Sequence, residues 1–504
     1  MRLINKRCFV AVLTSTLFTY SVMAAELFSS VHIQALPNLG VENLGIKNAV
    51  PENIWGKSDV SVLQALITDI TKKSLTPAMR DMIVQMMVRQ TSSNAALPLV
   101  YRMETLLRLG VFDEVLTLTQ LVPPANQTSD ILRLKSLALF LSGQTDVACN
   151  LMLKTPELRD MAEDMRLACA VAKGDKTGAE LIFATRTENN ELDETTVALG
   201  QKLFFNNDAN VDYQKINERH LHMLGAINQG EPDTFQTLSG AYQKVLSDLP
   251  TLPLHIRLEM AEKYNVEQLD KLYTLVDNKT KQNKAVVRAK VYQKIKETSD
   301  NEALSKLINE YLELARSDGL FLNLASVMKP FLEVLLPSEK MMDLAFDAVQ
   351  VFALSNNADL AYPWYKILQK NEDEKYQIQG ILLAPLMQQL GAGIPKDIEK
   401  AVAFCQKNKQ PNCSAFFDKV GSEAFVPNTV DILNDNFVSK RYTPLVQGML
   451  RGLISSERQG EGILLAVKLW QDSVGVEPDI VSALSEVMPA SLLRQLILER
   501  YVYP

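Results

Sequence analysis

The sequence predicts an all-α fold: an α-solenoid of antiparallel helix pairs stacked into an elongated superhelix. Three observations lead there. From Asp59 to Tyr501 almost every window places apolar residues at helical spacing, and very few alternate as a half-buried strand requires. Prolines and short polar breakers cut this stretch into segments of roughly 10–16 residues, a length suited to paired helices. Glycine-centred turns recur at Gly110, Gly143 and Gly174, at intervals of 33 and 31 residues. Composition agrees. The chain has 504 residues, 47% hydrophobic and 22% charged, as in ordinary globular proteins. Its 21 glycines, about 4% against a usual ~7%, are too few for a turn-dense β-sandwich.

Residues 1–24 read as a secretory signal peptide. Arg2, Lys6 and Arg7 precede an uncharged, mostly apolar run from Cys8 to Met23, and Val22-Met23-Ala24 supplies small-residue cleavage chemistry near Ala24/Ala25. No cysteine follows the run where a lipid anchor would need one. Cleavage leaves 49 basic against 59 acidic side chains, a net charge of −10. That balance argues against nucleic acid and anionic membranes, which demand a basic footprint. No later stretch reaches ~18 uninterrupted apolar residues, so no membrane span is expected after cleavage. The expected location is the periplasm or the outside of the cell. Residues 25–56 read as a poorly ordered N-terminal arm.

Residues 57–190 read as the first group of helical repeats. Met79, Met82, Ile83, Met86 and Met87 occupy one helix face and read as core. Each turn glycine permits a left-handed helix end. Five positions later Val115, Ala148 and Ala179 are small enough for the next helix to pack closely. The interval is near the ~34-residue tetratricopeptide period. Within this group Gln144 to Lys154 and Met161 to Lys173 predict two helices, with Thr155-Pro156 as breaker and Asp160…Glu163 as a capping box. Cleavage leaves four cysteines in two close pairs, Cys149 with Cys169 and Cys405 with Cys413. An even count in an exported chain favours disulfides, although four cysteines allow three connectivities. In an antiparallel hairpin Cys149 and Cys169 lie at similar height, ~8–13 Å from the turn, so local pairing is the expectation. Cys405 and Cys413 bracket the breaker Asn408 to Pro411. Neither pair has the spacing or neighbouring histidines of a zinc site.

Residues 191–504 read as the rest of the array, possible as a second lobe because polar, Asn-rich sequence interrupts the pattern near 190–215. Pro250 to Pro253, Pro330, Pro337, Pro363, Pro395, Pro411, Pro427 and Pro478 are expected between helices. Val287, Val291 and Ile295, and again Ile463, Val467 and Trp470, form stripes expected to face the core. One charge feature departs from the acidic background. Residues 279–296 hold seven basic residues and no acid. Lys284, Arg288, Tyr292 and Lys296 recur every four residues, a candidate strip for an acidic protein partner or an envelope polymer. The plainer reading is a solvated helix face.

Pro51 to Trp55, Arg102 to Gly110, the two-cysteine hairpin, Arg257 to Tyr273 and Gly452 to Trp470 together resemble a family of exported, tetratricopeptide-like helical-repeat proteins of Gram-negative bacteria. The resemblance implies an α-solenoid in the periplasm and transfers no catalytic residue. Gly391, Gly393, Asp397, Lys400 and Ala401 resemble the turn and helix start of a single Sel1-like repeat.

Catalytic chemistry is sparse. Of His32, His220, His222 and His255, the middle two are two residues apart, which on a helix points them ~200° apart and prevents a shared metal. No zincin pair, phosphate-binding loop or nucleophile elbow occurs. Lys176-Thr177-Gly178, Ser299-Asp300-Asn301 and Ser326…Lys329 match the penicillin-binding motifs only in reverse chain order. Asp208, Asn210 and Asp212 begin like a calcium loop, but Tyr213 and Arg219 stand where glycine and glutamate are required. No catalytic, cofactor or metal residue is therefore expected. The expected function is a non-catalytic binding or scaffolding protein of the cell envelope that presents its repeat surface to a protein partner. The alternative is an accessory subunit of a peptidoglycan enzyme, and a hydrolase in its own right ranks last.

Overall fold

The structure, a computed structural model, describes residues 54–72, 75–89, 97–227, 235–392, 444–472 and 490–502, with six single positions between the last three stretches. The expected signal peptide, nearly all of the expected arm, and both Cys405 and Cys413 lie outside the described residues. Within them the chain is all-α, with 22 α-helices and no strand. The first nine are α1 (Val60–Thr71), α2 (Pro77–Val88), α3 (Leu99–Arg108), α4 (Phe112–Gln120), α5 (Ser129–Leu141), α6 (Thr145–Lys154), α7 (Arg159–Ala172), α8 (Lys176–Glu188) and α9 (Glu194–Phe205). Next come α10 (Leu221–Ile227), α11 (Gly240–Asp248), α12 (Leu254–Tyr264), α13 (Leu269–Thr274), α14 (Lys284–Glu297), α15 (Asn301–Ser317), α16 (Phe321–Glu333) and α17 (Met342–Leu354). The last five are α18 (Ala358–Lys370), α19 (Glu374–Gln389), α20 (Pro444–Ser455), α21 (Gln459–Asp472) and α22 (Ala490–Val502).

Local chemistry sets the helix ends. Asp59, Thr76, Thr128 and Asp300 each accept a first-turn backbone N–H, supplying a partner that the helix itself lacks. At the other end one turn is used eight times among the described residues. Gly110, Gly143, Gly174, Gly319 and Gly391 have φ between +70° and +82°, and Asn190, Asn356 and Glu457 between +51° and +64°. After each, the next N–H reaches back five residues to a helix carbonyl, as Val111 does to Leu106 and Asn357 to Phe352. Gly110 is doubly constrained. A Cβ there would stand 3.2 Å from the Ala241 backbone of α11.

Three sequence expectations are corrected here. Pro330 and Pro363 are not separators but lie inside α16 and α18. Both rings face solvent, where a helix curves outward and the carbonyl freed by the missing N–H can be hydrated. The capping box at Asp160…Glu163 does not form, because α7 starts earlier, at Arg159, fed by a 3₁₀ turn over Pro156–Leu158. Asp160 instead sits in the first turn, where its charge suits the helix dipole. Val287 is 40% exposed, while Val291 and Ile295 are buried.

The first and last described helices meet, where an elongated stack would hold them apart. The Lys57 N–H donates to the Glu457 carbonyl at 2.8 Å, and Gly460 N–H to the Ile54 carbonyl at 2.6 Å. Helix α1 packs along α21, and α2 along α22, which also touches α17 and α19. Asp69 pairs with Lys468, and Gln471 donates to the Ile70 carbonyl. Trp55, fully buried, lies against Gly460, where a Cβ would come within 2.9 Å of its ring. Only glycine fits there. Ile54, Trp55 and Gly56, the last three residues of the expected arm, thus belong to the packed body.

Candidate functional site

The candidate strip Lys284, Arg288, Tyr292 and Lys296 shares one face of α14, as its spacing requires, but that face is turned toward acids. Arg288 is 2% exposed. Its guanidinium donates to both oxygens of Glu262, itself 0% exposed on α12, with Nε at 2.9 Å, and also to Asp318 after α15. Lys284 Nζ reaches Asp318 at 2.5 Å. Tyr292 OH and Lys296 Nζ both donate to Asp270 of α13 at 2.7 Å. Tyr273 OH donates to Glu262 at 2.7 Å, and therefore accepts from the Tyr311 hydroxyl 3.0 Å away.

The electrostatics follow from this arrangement. Burial alone would lower the Arg288 pKa, but Glu262 and Asp318 outweigh it and hold the guanidinium protonated. Burial, then Tyr311 and Glu262, push Tyr273 well above the ordinary phenol range. Every described member of the strip is thus engaged by an acid on a neighbouring element, at separations of 22 to 34 residues. That is about one repeat length. The sequence did carry a signal for these partners, acids one repeat before or after each base. Helical spacing within a single segment could not reveal it.

A second polar cluster lies where the sequence placed its weakest helical pattern. Between α7, α8, α9 and α10, a small, partly open crevice is lined by Asp164, Arg186, Asp193, Thr196, Arg219 and His220, among others. Asn217 donates its N–H to His220 Nδ1 at 3.1 Å, which leaves the ring proton on Nε2. Nε2 then donates to Thr196 Oγ1 at 2.8 Å, and Thr196 donates to Asp193. Asp193 also caps α9 and pairs with Arg219 at 3.2 Å. Burial depresses His220 to about 4, against the opposing pull of Asp193, so the ring is neutral. Burial would raise Asp193, but the bonds from Thr196 and the charge of Arg219 hold it below the ordinary range.

This cluster has the members of a hydroxyl–imidazole–carboxylate triad in the wrong order. A nucleophilic hydroxyl needs an imidazole that accepts its proton. Here the imidazole donates and the hydroxyl gives its proton to the carboxylate, so the arrangement ties helices together. His222 faces elsewhere, edge-on to Phe140 with ring centroids 4.9 Å apart, and burial depresses it to about 4. Among the described residues no three His, Cys, Asp or Glu side chains converge as a metal site, and no helix is long and apolar enough to cross a membrane.

Cys149 and Cys169 form a disulfide, with S–S 1.99 Å and Cα atoms 6.0 Å apart, so α6 and α7 double back on each other across Thr155–Leu158. A 20-residue loop closed this way contributes roughly 3 kcal/mol in the loop-entropy model. The other expected bridge, Cys405–Cys413, falls outside the described residues. No protein-family model matches the chain, and no curated protein or solved structure is found to be similar to it.

Proposed function

We propose that the protein is an exported, non-catalytic scaffold of the cell envelope, an array of stacked helix pairs whose surface holds a protein partner. The observation that carries this reading is the turn used eight times, with the same left-handed residue and the same five-residue return bond. Three of its positions, Gly110, Gly143 and Gly174, keep the interval of a tetratricopeptide-like array, and Gly319, Asn356 and Gly391 follow at 37 and 35 residues. A repeated unit of this size stacks on its neighbours and offers an extended surface for binding. Export is supported by the charged-then-apolar N-terminus and by a disulfide, which persists in oxidising compartments.

The test has two parts. Fractionation with N-terminal sequencing of the native protein should find it outside the cytoplasm and beginning near Ala25. Cross-linking in intact cells, followed by identification of the attached species, should recover a defined envelope protein. Cytoplasmic protein retaining Met1 would overturn export. Isolated glycan strands with no attached protein would favour the wall-enzyme accessory instead.

A further inference from the structure

Two buried glutamates from the C-terminal helices receive the N-terminal ends of the first two helices. Glu461 of α21, 1% exposed, accepts the Asp59 N–H at 2.6 Å where α1 begins. Glu499 of α22, 3% exposed, accepts the Ala78 N–H with both oxygens, at 2.9 and 3.0 Å, where α2 begins. The bonds span 402 and 421 residues of sequence, so they belong to the closure between chain ends and to nothing local.

The two carboxylates differ in their company. Glu461 has a cation at its side, since Arg458 donates to it with Nε at 2.9 Å and with a second nitrogen. Glu499 has neutral donors, the Ala78 N–H, the Thr76 hydroxyl and Gln495. Among the described residues, the charged groups on the surrounding helices do not neutralise it. On α2, Asp81 is of like sign and Arg80 donates to the Leu109 carbonyl at 2.9 Å. On α22, Arg494 turns to Asn356. On α17, Asp347 is held by Arg316 and Asp343 by Lys375, while Glu374 and Lys375 stand in the first turn of α19.

We propose that Glu499 is a proton-operated clasp: with a proton on its carboxyl group it holds α1 and α2 against the C-terminal helices, and ionisation loosens that closure. A protonated carboxyl keeps one oxygen for Ala78 and gains an O–H for its neighbours. An ionised one leaves a charge buried with no cation beside it among the described side chains, a state that water would relieve on opening. Burial accordingly pushes Glu499 up to about 7, against the pull of its three donors. In an opened clasp it returns toward 4.5. Because the closed-state value is the raised one, closure is strongest below the ordinary carboxyl pKa. It is lost as pH rises through about 7. One pKa unit is a tenfold change in the equilibrium. The inference goes beyond the scaffold proposal and does not depend on it.

Hydrogen exchange of the intact protein, corrected for intrinsic amide rates, tests this directly. Between pH 5.5 and 8 the opening equilibrium of α1 and α2 should rise about tenfold or more, while α17 stays level. Glu499→Gln, neutral and nearly isosteric, should abolish that slope and keep α1 and α2 protected at pH 8. Glu461→Gln should retain the wild-type slope. Thr76→Val removes a donor that favours the ionised form, so it should move the wild-type transition to higher pH. Protection of α1 and α2 that tracks α17 across the range would overturn the proposal. So would a wild-type slope in Glu499→Gln or, should that variant not fold, an unmoved transition in Thr76→Val.

Discussion

The centre and the closure of this molecule solve the same problem, a buried carboxylate between helices, in opposite ways. At the centre Glu262 faces Arg288 and the Tyr273 hydroxyl, so its charge is matched and its acceptor sites are filled. At the closure the described partners of Glu499 are all neutral donors. A matched pair ties helices together through opposite charges, whereas an unmatched carboxyl makes the contact depend on its proton. The difference teaches that a charge's partners decide whether it acts as a fixed strut or a switch, and that burial alone does not.

Breaking the central match should have the largest effect. Arg288→Ala leaves Glu262 and Asp318 without their guanidinium, and removing one partner of a buried pair typically costs about 3–5 kcal/mol. A thermal melt should show a large loss of global stability. Trp55→Ala attacks the closure by emptying a fully buried site against Gly460. Large-to-small changes of this kind cost roughly 3 kcal/mol or more. Here the loss should appear as faster exchange in α1 and α21, with α14 unchanged. If α14 loosens equally, the two regions are not independent.

Acid sharpens the contrast. His220 is held near 4, below its ordinary 6.5, so the native state refuses a proton that the unfolded chain accepts. Stability of α9 and α10 should therefore fall as pH drops from about 6.5 toward 4, while the Glu499 closure tightens over much of the same window. Exchange rates followed region by region should move in opposite directions. The smallest effect is expected from Lys296→Ala. Its ion pair with Asp270 is partly exposed and screened by solvent, worth at most about 1 kcal/mol.

Much of the fold was legible in the sequence, and the limits have physical causes. Helical periodicity and the glycine turns at 110, 143 and 174 located the helix boundaries well, because a left-handed residue leaves a local mark. Asn356 and Glu457 make the same turn without glycine, so those repeats were hidden. The Cys149–Cys169 bridge followed from the similar height of the two cysteines above the Thr155 turn in an antiparallel hairpin. The α14 strip was found as a face but expected to be open to an acidic partner or to solvent, because its counter-charges sit on neighbouring elements. The meeting of the first and last described helices left almost no local trace. It rests on pairs some 400 residues apart, and only Trp55 and Gly460, a bulky ring facing a residue without a side chain, hint at it.

The central claim, that the two ends of one chain close on each other, is tested most directly by zero-length carbodiimide coupling of amines to carboxylates in the monomer. Lys57 Nζ lies 3.2 Å from Glu457, both exposed, and Lys468 pairs with Asp69 across the same junction. Peptide mapping should recover the Lys57–Glu457 and Lys468–Asp69 links within a single chain, as shown by mixing isotopically light and heavy protein before coupling. Absence of both links, or their appearance only between light and heavy chains, would contradict the closure.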